Sequence, residues 1–373
     1  MNIIHYNPHN DIVIAEYIDT LNLNMAMTDE VVSRKASTVK EIKKELTAQH
    51  ADIINIHGCW HHSLPIVMSL ANKHKARLVV TPHGQLEPWV MSRQNNVIKL
   101  FRQTIYQRKL IRHAYSVIVM GEMEYLNTKK IGWTERIEIV SNSLFTSKTT
   151  DSQMAKETLD VYQKVMDSNV FQAMEEQTRK ALFLLFKAAV TNNRHWIDNE
   201  EVALVGNLDY YKWRQIIIYG YTTSTLEYIL RGADVFSITP PECHPENIRC
   251  YCAARAKRIA ESNGLPMLTL GDNGTHSTDD MTAMIRAIKE KAERKTIGIS
   301  DIILLAVSLF NLRIDEDELR FKLDEAQLSS FAARAMALCT YFTCMPEGFL
   351  IMHSKNDRKT KSIINSILTQ LKL

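Results

Sequence analysis

Two histidine–glycine pairs stand where this chain could do chemistry. One is His57-Gly58 in IINIHGCWHH, residues 53–62, and the other is His83-Gly84 in VVTPHGQLEPW, residues 79–89. Each pair closes an apolar, strand-like run. Pro82 has no N–H with which to continue a ladder, and a glycine lets the backbone turn sharply or pass close to a ligand. A neutral imidazole on such a loop can accept a proton from a hydroxyl or hold a sugar hydroxyl by a hydrogen bond. Glu87 lies on the same loop as His83, and Trp60 and Trp89 supply flat apolar surface of the kind that stacks on sugars. For any one histidine the competing reading is a satisfied structural residue. Two pairs after two strands carry more weight, because both loops then open on one edge of one sheet, where ligands sit in open parallel sheets.

The elements that must position these loops are legible as an alternation. Strand-like runs at 2–5, 53–57, 77–81, 116–120 and 137–140 alternate with helical stretches near 38–49, 64–74, 97–113 and 122–131. Short strand–helix–strand connections predict right-handed crossovers and a parallel sheet. Gly132 closes the helix that starts near Glu122. After Asn142 the pattern changes. SKTTDSQ, 147–153, reads as a polar linker, and 158–189 carries apolar positions at helical spacing up to Asn192-Asn193. RQIIIYGY, 214–221, reads as a buried strand or as part of a helix, and TPPECHPEN, 239–247, as a loop. Helices are expected at 255–263, 279–295, 300–312, 315–340 and 355–373. The fold class is therefore α/β: a Rossmann-like parallel sheet domain over 1–146, then an α-rich domain over 154–373.

Composition narrows the function classes. At 373 residues the chain can bury two cores, and a net charge of +3 is too weak to argue for nucleic acid. No apolar run approaches the roughly 20 residues that span a bilayer. MNIIHYNPHND lacks the basic start and apolar core of a secretory signal, so a cytoplasmic location is expected. In a reducing compartment the six cysteines should be free thiols. CHPENIRCYC, with Cys243, His244, Cys250 and Cys252, has no paired Cys-x-x-Cys knuckles and is read as ordinary thiols, so no metal is expected. The stretch 97–113 places Lys99, Arg102, Arg108, Lys109 and Arg112 among Ile98, Phe101, Ile105 and Leu110. Such a basic amphipathic helix can lie on the inner face of a membrane, or cover a sheet with its basic side in water.

Three stretches resemble the first domain of family 4 glycosyltransferases, the retaining, GT-B type enzymes that use nucleotide-activated sugars. They are IHGCWHHSLPIVMSLANKHKARLVVTPHGQLEPWV, YQRKLIRHAYSVIVMGEMEYL and IGWTERIEIVSNSL, together covering about residues 50–145. The likeness is greatest to bacterial members that build surface polysaccharides. The resemblance places His83 at the sugar-transfer centre as the catalytic residue. It maps His57 and Gly58 onto the family's His-Gly after the preceding strand; these two, with Trp60, Gly84, Glu87 and Trp89, are read as substrate-binding. Asn142 joins them because Ser141-Asn142-Ser143 matches the family's IPNG loop, with Ser143 in place of glycine.

The departures are equally specific. The loop after the first strand, NPHNDIV at 7–13, has no glycine, and the short distance to residue 53 implies that a β-α segment is lost. The family's second Rossmann unit, with its Arg/Lys pair and paired glutamates, is not recognisable. PEGFL, 346–350, is followed by Lys355 where a glutamate belongs, and VGNLDYYK, 205–212, has Asn207 for arginine. The expected function is transfer of a sugar from a nucleotide-sugar donor to a glycan or lipid-linked acceptor, without a further cofactor. The alternative is an inactive transferase-like binding or accessory protein.

Overall fold

The computed structural model describes residues 1–27, 31–92, 103–243, 248–262, 277–311 and 315–373. The chain divides into two compact units, Met1–Met166 and Asp167–Leu373.

In the first unit, strands β1 (Asn2–Tyr6), β2 (Val32–Ala36), β3 (Ile53–His57), β4 (Arg77–Thr81), β5 (Ser116–Val119) and β6 (Ile137–Ile139) form one parallel sheet. Their order is β2-β1-β3-β4-β5-β6. Its helices are α1 (Ile12–Met25), α2 (Val39–Ala48), α3 (Leu64–Lys73), α4 (Pro88–Ser92), α5 (Arg108–His113), α6 (Glu122–Ile131) and α7 (Asp151–Met166). Leaving β1, the chain goes to β2 on one side and returns to β3 on the other. The order therefore reverses between β1 and β3, and a crevice opens at such a switch point beyond the carboxyl ends of the strands. Ile4, Tyr6, Ile54, Ile56, Val80, Val117 and Val119 share one apolar core with Leu64, Val67, Leu110 and Ile111, which binds α3 and α5 to one face of the sheet.

Two expectations are corrected here. No β-α segment is lost: α1 and β2 fill the space before β3. VSRKA escapes the apolar pattern because β2 is an edge strand, buried only at Ala36, and its charges discourage pairing with another chain. The boundary also falls later than 146–154. The helix α7, assigned by sequence to the second domain, packs against α1 inside the first unit and buries Met154, Thr158, Val161, Tyr162 and Val165.

The second unit is helical throughout its described residues. It comprises α8 (Val170–Ala173), α9 (Glu176–Thr191), α10 (Asn199–Gly206), α11 (Tyr210–Thr222), α12 (Leu226–Phe236), α13 (Ala254–Glu261), α14 (Thr278–Glu293), α15 (Ile299–Phe310), α16 (Glu316–Glu325), α17 (Ser329–Thr343) and α18 (Arg358–Leu368), with single 3-10 turns between. The ambiguous 214–221 lies inside α11. The expected 315–340 helix is divided between α16 and α17 near Gln327, which takes a left-handed backbone conformation. VGNLDYYK joins α10 to α11 and is no strand loop, and Glu347–Phe349 is a 3-10 turn. Gly232 lets α12 cross α9 closely, since a Cβ there would stand 2.1 Å from the Leu185 carbonyl oxygen. Among the described residues no helix is long and apolar enough to cross a membrane.

Candidate functional site

The strands β1, β3 and β4 are neighbours, and their register sets a staircase of polar side chains on one face. His5 pairs with Asn55, and His57 pairs with Thr81. Side chains of a strand return to the same face every second residue, so Asn55 and His57 share a face, and His83, past the end of β4, meets that face through its contact with His57. The rings meet: His5 Nδ1 lies 2.8 Å from His57 Nε2, and His57 Nδ1 lies 2.9 Å from His83 Nε2. Beneath them, the Thr81 hydroxyl donates to Asn55 Oδ1 at 3.0 Å, and the Asn55 amide donates to the Tyr162 hydroxyl at 2.8 Å. Tyr17 of α1 stands edge-on to both His57 and His83. The helices α1 and α7 thus roof a polar layer, and Tyr162 completes it.

Burial sets the charge state of this layer. Removal from water disfavours a cation, so His5 is held down to about 3 and His57 well below the usual imidazole range, the latter also by its two histidine neighbours. His83 falls to about 4, again through burial, with the Asp11 carboxylate pulling the other way. All three imidazoles are neutral at pH 7. Desolvation also raises the Tyr17 and Tyr162 phenols, so both stay protonated.

The loops that carry the histidines are fastened to one another. Gln85 Oε1 accepts the Cys59 N–H at 2.6 Å, and the Trp60 indole N–H donates to the Gln85 carbonyl at 2.9 Å. His9, in the loop after β1, pairs with the Cys59 carbonyl at 2.9 Å. Glu124 on α6 accepts the Gly84 N–H at 2.6 Å and the Met120 N–H at 2.8 Å. Burial raises the Glu124 carboxyl above its ordinary range, against those two bonds. Both loop glycines adopt positive φ, +92° at Gly58 and +76° at Gly84, and His83 itself sits at +51°. That a bulky side chain accepts this conformation is consistent with its being held by the ring contacts around it.

A cleft of about 330 Å³ opens at this edge, lined by His83, Gly84, Glu87, Glu124, Asn142 and the residues Met120, Gly121, Met123 and Phe145. Four residues named from sequence, His83, Gly84, Glu87 and Asn142, therefore share one cleft. Glu87 also accepts the Asn127 amide, and Asn142 Oδ1 accepts the Leu144 N–H at 2.9 Å. His57 and Gly58 are buried behind the cleft, not on its wall. Trp60 is buried as well. Its indole N–H is taken by the Gln85 carbonyl and the ring is buried, so it presents no open face, while Gln107 and Tyr106 bond its backbone. Trp89 is 61% exposed on α4 and is not among the residues lining the cleft.

Of the basic stretch 97–113, residues 97–102 lie outside the described residues. From Gln103 the chain is helical, with Tyr106, Gln107, Leu110 and Ile111 buried and Arg108, Lys109 and Arg112 exposed. None of the six cysteines is in a disulfide. Cys243 lies beside Arg214, and His244 lies outside the described residues.

His5, Asn55, Thr81, Tyr17, Tyr162 and Glu124 escape the sequence reading. One signal was available: NIIHY and IINIH both set a polar residue into an apolar strand, and a fully buried parallel strand tolerates that only with a partner. No family model matches the chain, and neither a curated protein nor a solved structure matches it.

Proposed function

We propose that the chain is a glycosyltransferase that moves a sugar from a nucleotide-sugar donor to a glycan or lipid-linked acceptor in surface polysaccharide synthesis. The observation that carries this reading is the cleft at the carboxyl edge of the sheet, where His83, Gly84, Glu87 and Asn142 converge. Its polar groups suit hydroxyl-rich ligands: a neutral imidazole, a carboxylate and a carboxamide can each bind a sugar hydroxyl. The exposed apolar rim of Met123 and Phe145 suits the less polar face of a sugar or a lipid carrier. In this role His83 positions the transferred sugar and Glu87 and Asn142 orient the substrate. The work would be done in the cytoplasm, with the exposed Arg108, Lys109 and Arg112 toward the inner membrane surface.

The accessory reading, a transferase-like unit that binds a glycan without turnover, draws on one observation. Among its described residues the second unit forms helices joined by turns and loops, with no strand and so no second parallel sheet of the kind that binds donor nucleotides in the GT-B enzymes.

The test is a panel of nucleotide sugars offered to the purified protein, read by thermal shift and by release of free nucleotide with glycan and lipid-linked acceptors present. A bound donor stabilises the fold by mass action. Transfer that falls about 10²-fold in a folded His83→Ala variant supports the reading, that being the scale of a lost positioned catalytic group. Glycan binding with neither donor binding nor turnover would establish the accessory reading in its place.

A further inference from the structure

The three imidazoles make a chain with only two internally consistent proton arrangements. Each ring is neutral and carries one proton, and each of the two N···N contacts needs one donor. Either all three protons sit on Nδ1, or all three sit on Nε2. Any mixture sets two donors or two lone pairs against each other. The two arrangements differ at the ends of the chain. With the protons on Nε2, His5 points a bare N–H into the interior, because His5 is wholly buried and its Nε2 has no partner among the described residues. With the protons on Nδ1, that atom is only an unused lone pair. Orphaned buried N–H groups are the rarer of the two faults in folded proteins.

We infer that His5, His57 and His83 all carry their proton on Nδ1, so that the buried end of the chain fixes His83 as a hydrogen-bond donor toward its ligand. The ligand atom it meets is therefore an oxygen acceptor: a hydroxyl oxygen, a carbonyl or an anionic oxygen. His83 is not set up to take a proton from a nucleophile, because its outer nitrogen has no lone pair to give. The inference rests on the proposed cleft only for the identity of the ligand; the proton arrangement is a property of the free protein.

The test is a long-range 1H–15N correlation spectrum of protein labelled at histidine nitrogens, recorded at neutral pH, with the three rings assigned from single substitutions. Protonated Nδ1 and unprotonated Nε2 at all three rings is the expected result, and Nε2–H at His83 overturns the inference. In His5→Phe the unpartnered buried atom becomes His57 Nε2, and the same preference for a lone pair there should keep His57 and His83 on Nδ1–H. Nε2–H at His83 in a folded His5→Phe protein would show that the buried end of the chain does not set the arrangement. If that variant does not fold, the spectrum of the unsubstituted protein alone decides the arrangement. Neither readout depends on sugar transfer, so a failure here is separable from a failure of the proposed activity.

Discussion

Glu124 holds the backbone N–H of Gly84 at 2.6 Å while its other oxygen holds the N–H of Met120. One buried carboxylate thus ties the loop after β4 to the end of β5, and with it fixes the ring of His83 over His57. The carboxylate is the only common side chain with two equivalent acceptors at that reach.

Glu124→Gln keeps the volume but leaves one acceptor oxygen for two donors. One buried N–H loses its partner, at a cost of about 1–3 kcal/mol. The loss should appear as a lower denaturant midpoint at unchanged slope. If the proposed activity holds, turnover should fall with it through displacement of His83, without loss of ligand access. An unchanged midpoint would show that the two N–H groups find other acceptors.

Gly58 and Gly84 should respond differently to alanine. Both have left-handed φ, which costs an L-residue about 1–2 kcal/mol. At Gly58 a Cβ would also stand 3.1 Å from His9 Cδ2 and 3.2 Å from Gln85 Nε2, whereas at Gly84 nothing lies within 4 Å. Gly58→Ala should therefore be the more destabilising in thermal or chemical unfolding, by the added cost of displacing His9 or Gln85. Equal losses would mean that those side chains move aside freely.

Acid should weaken the first unit from about pH 6.5 downward, near the ordinary imidazole range. Folding lowers all three histidine values, so between the folded and unfolded values the unfolded chain binds more protons and stability falls as pH falls. The contribution is complete above the unfolded value. It is lost at up to about 1.4 kcal/mol per pH unit for each histidine, approached only well below pH 6.5. For His83 the loss stops near its folded value of about 4. Unfolding free energies measured from pH 7.5 to 4.5 give the slope. His57→Phe should flatten it, and a flat profile in the unsubstituted protein would show that the rings take up protons without penalty.

The sequence showed the outer half of this site and hid the inner half. His57 and His83 were legible because a strand end followed by His-Gly has a local signature. His5 was not, since its role depends on β1 lying next to β3, a contact set by a crossover that no local pattern records. Trp60 illustrates the converse. Its type suggested a stacking surface, but the positive φ at that position and the Gln85 carbonyl that takes its N–H turn the indole inward. α1 and β2 escaped for a compositional reason, an edge strand rich in charge and a helix with exposed Ile12, Val13 and Leu23.

The roof of the polar layer has a consequence for the order in which the chain can mature. All six strands leave the ribosome before Tyr162 does. Until α7 emerges, Asn55 lacks the partner it donates to, and α1 alone covers that face of the sheet. A nascent chain emerged only to residue 146 therefore has half its roof, while one emerged past residue 166 holds every part of the unit. Emergence of the last turns of α7 is then the event that commits the first unit to its fold. A fragment of 1–166 should fold cooperatively by circular dichroism and urea titration. A fragment of 1–146 should not, and cooperative unfolding of the shorter fragment would show that the sheet needs no α7 to complete its roof.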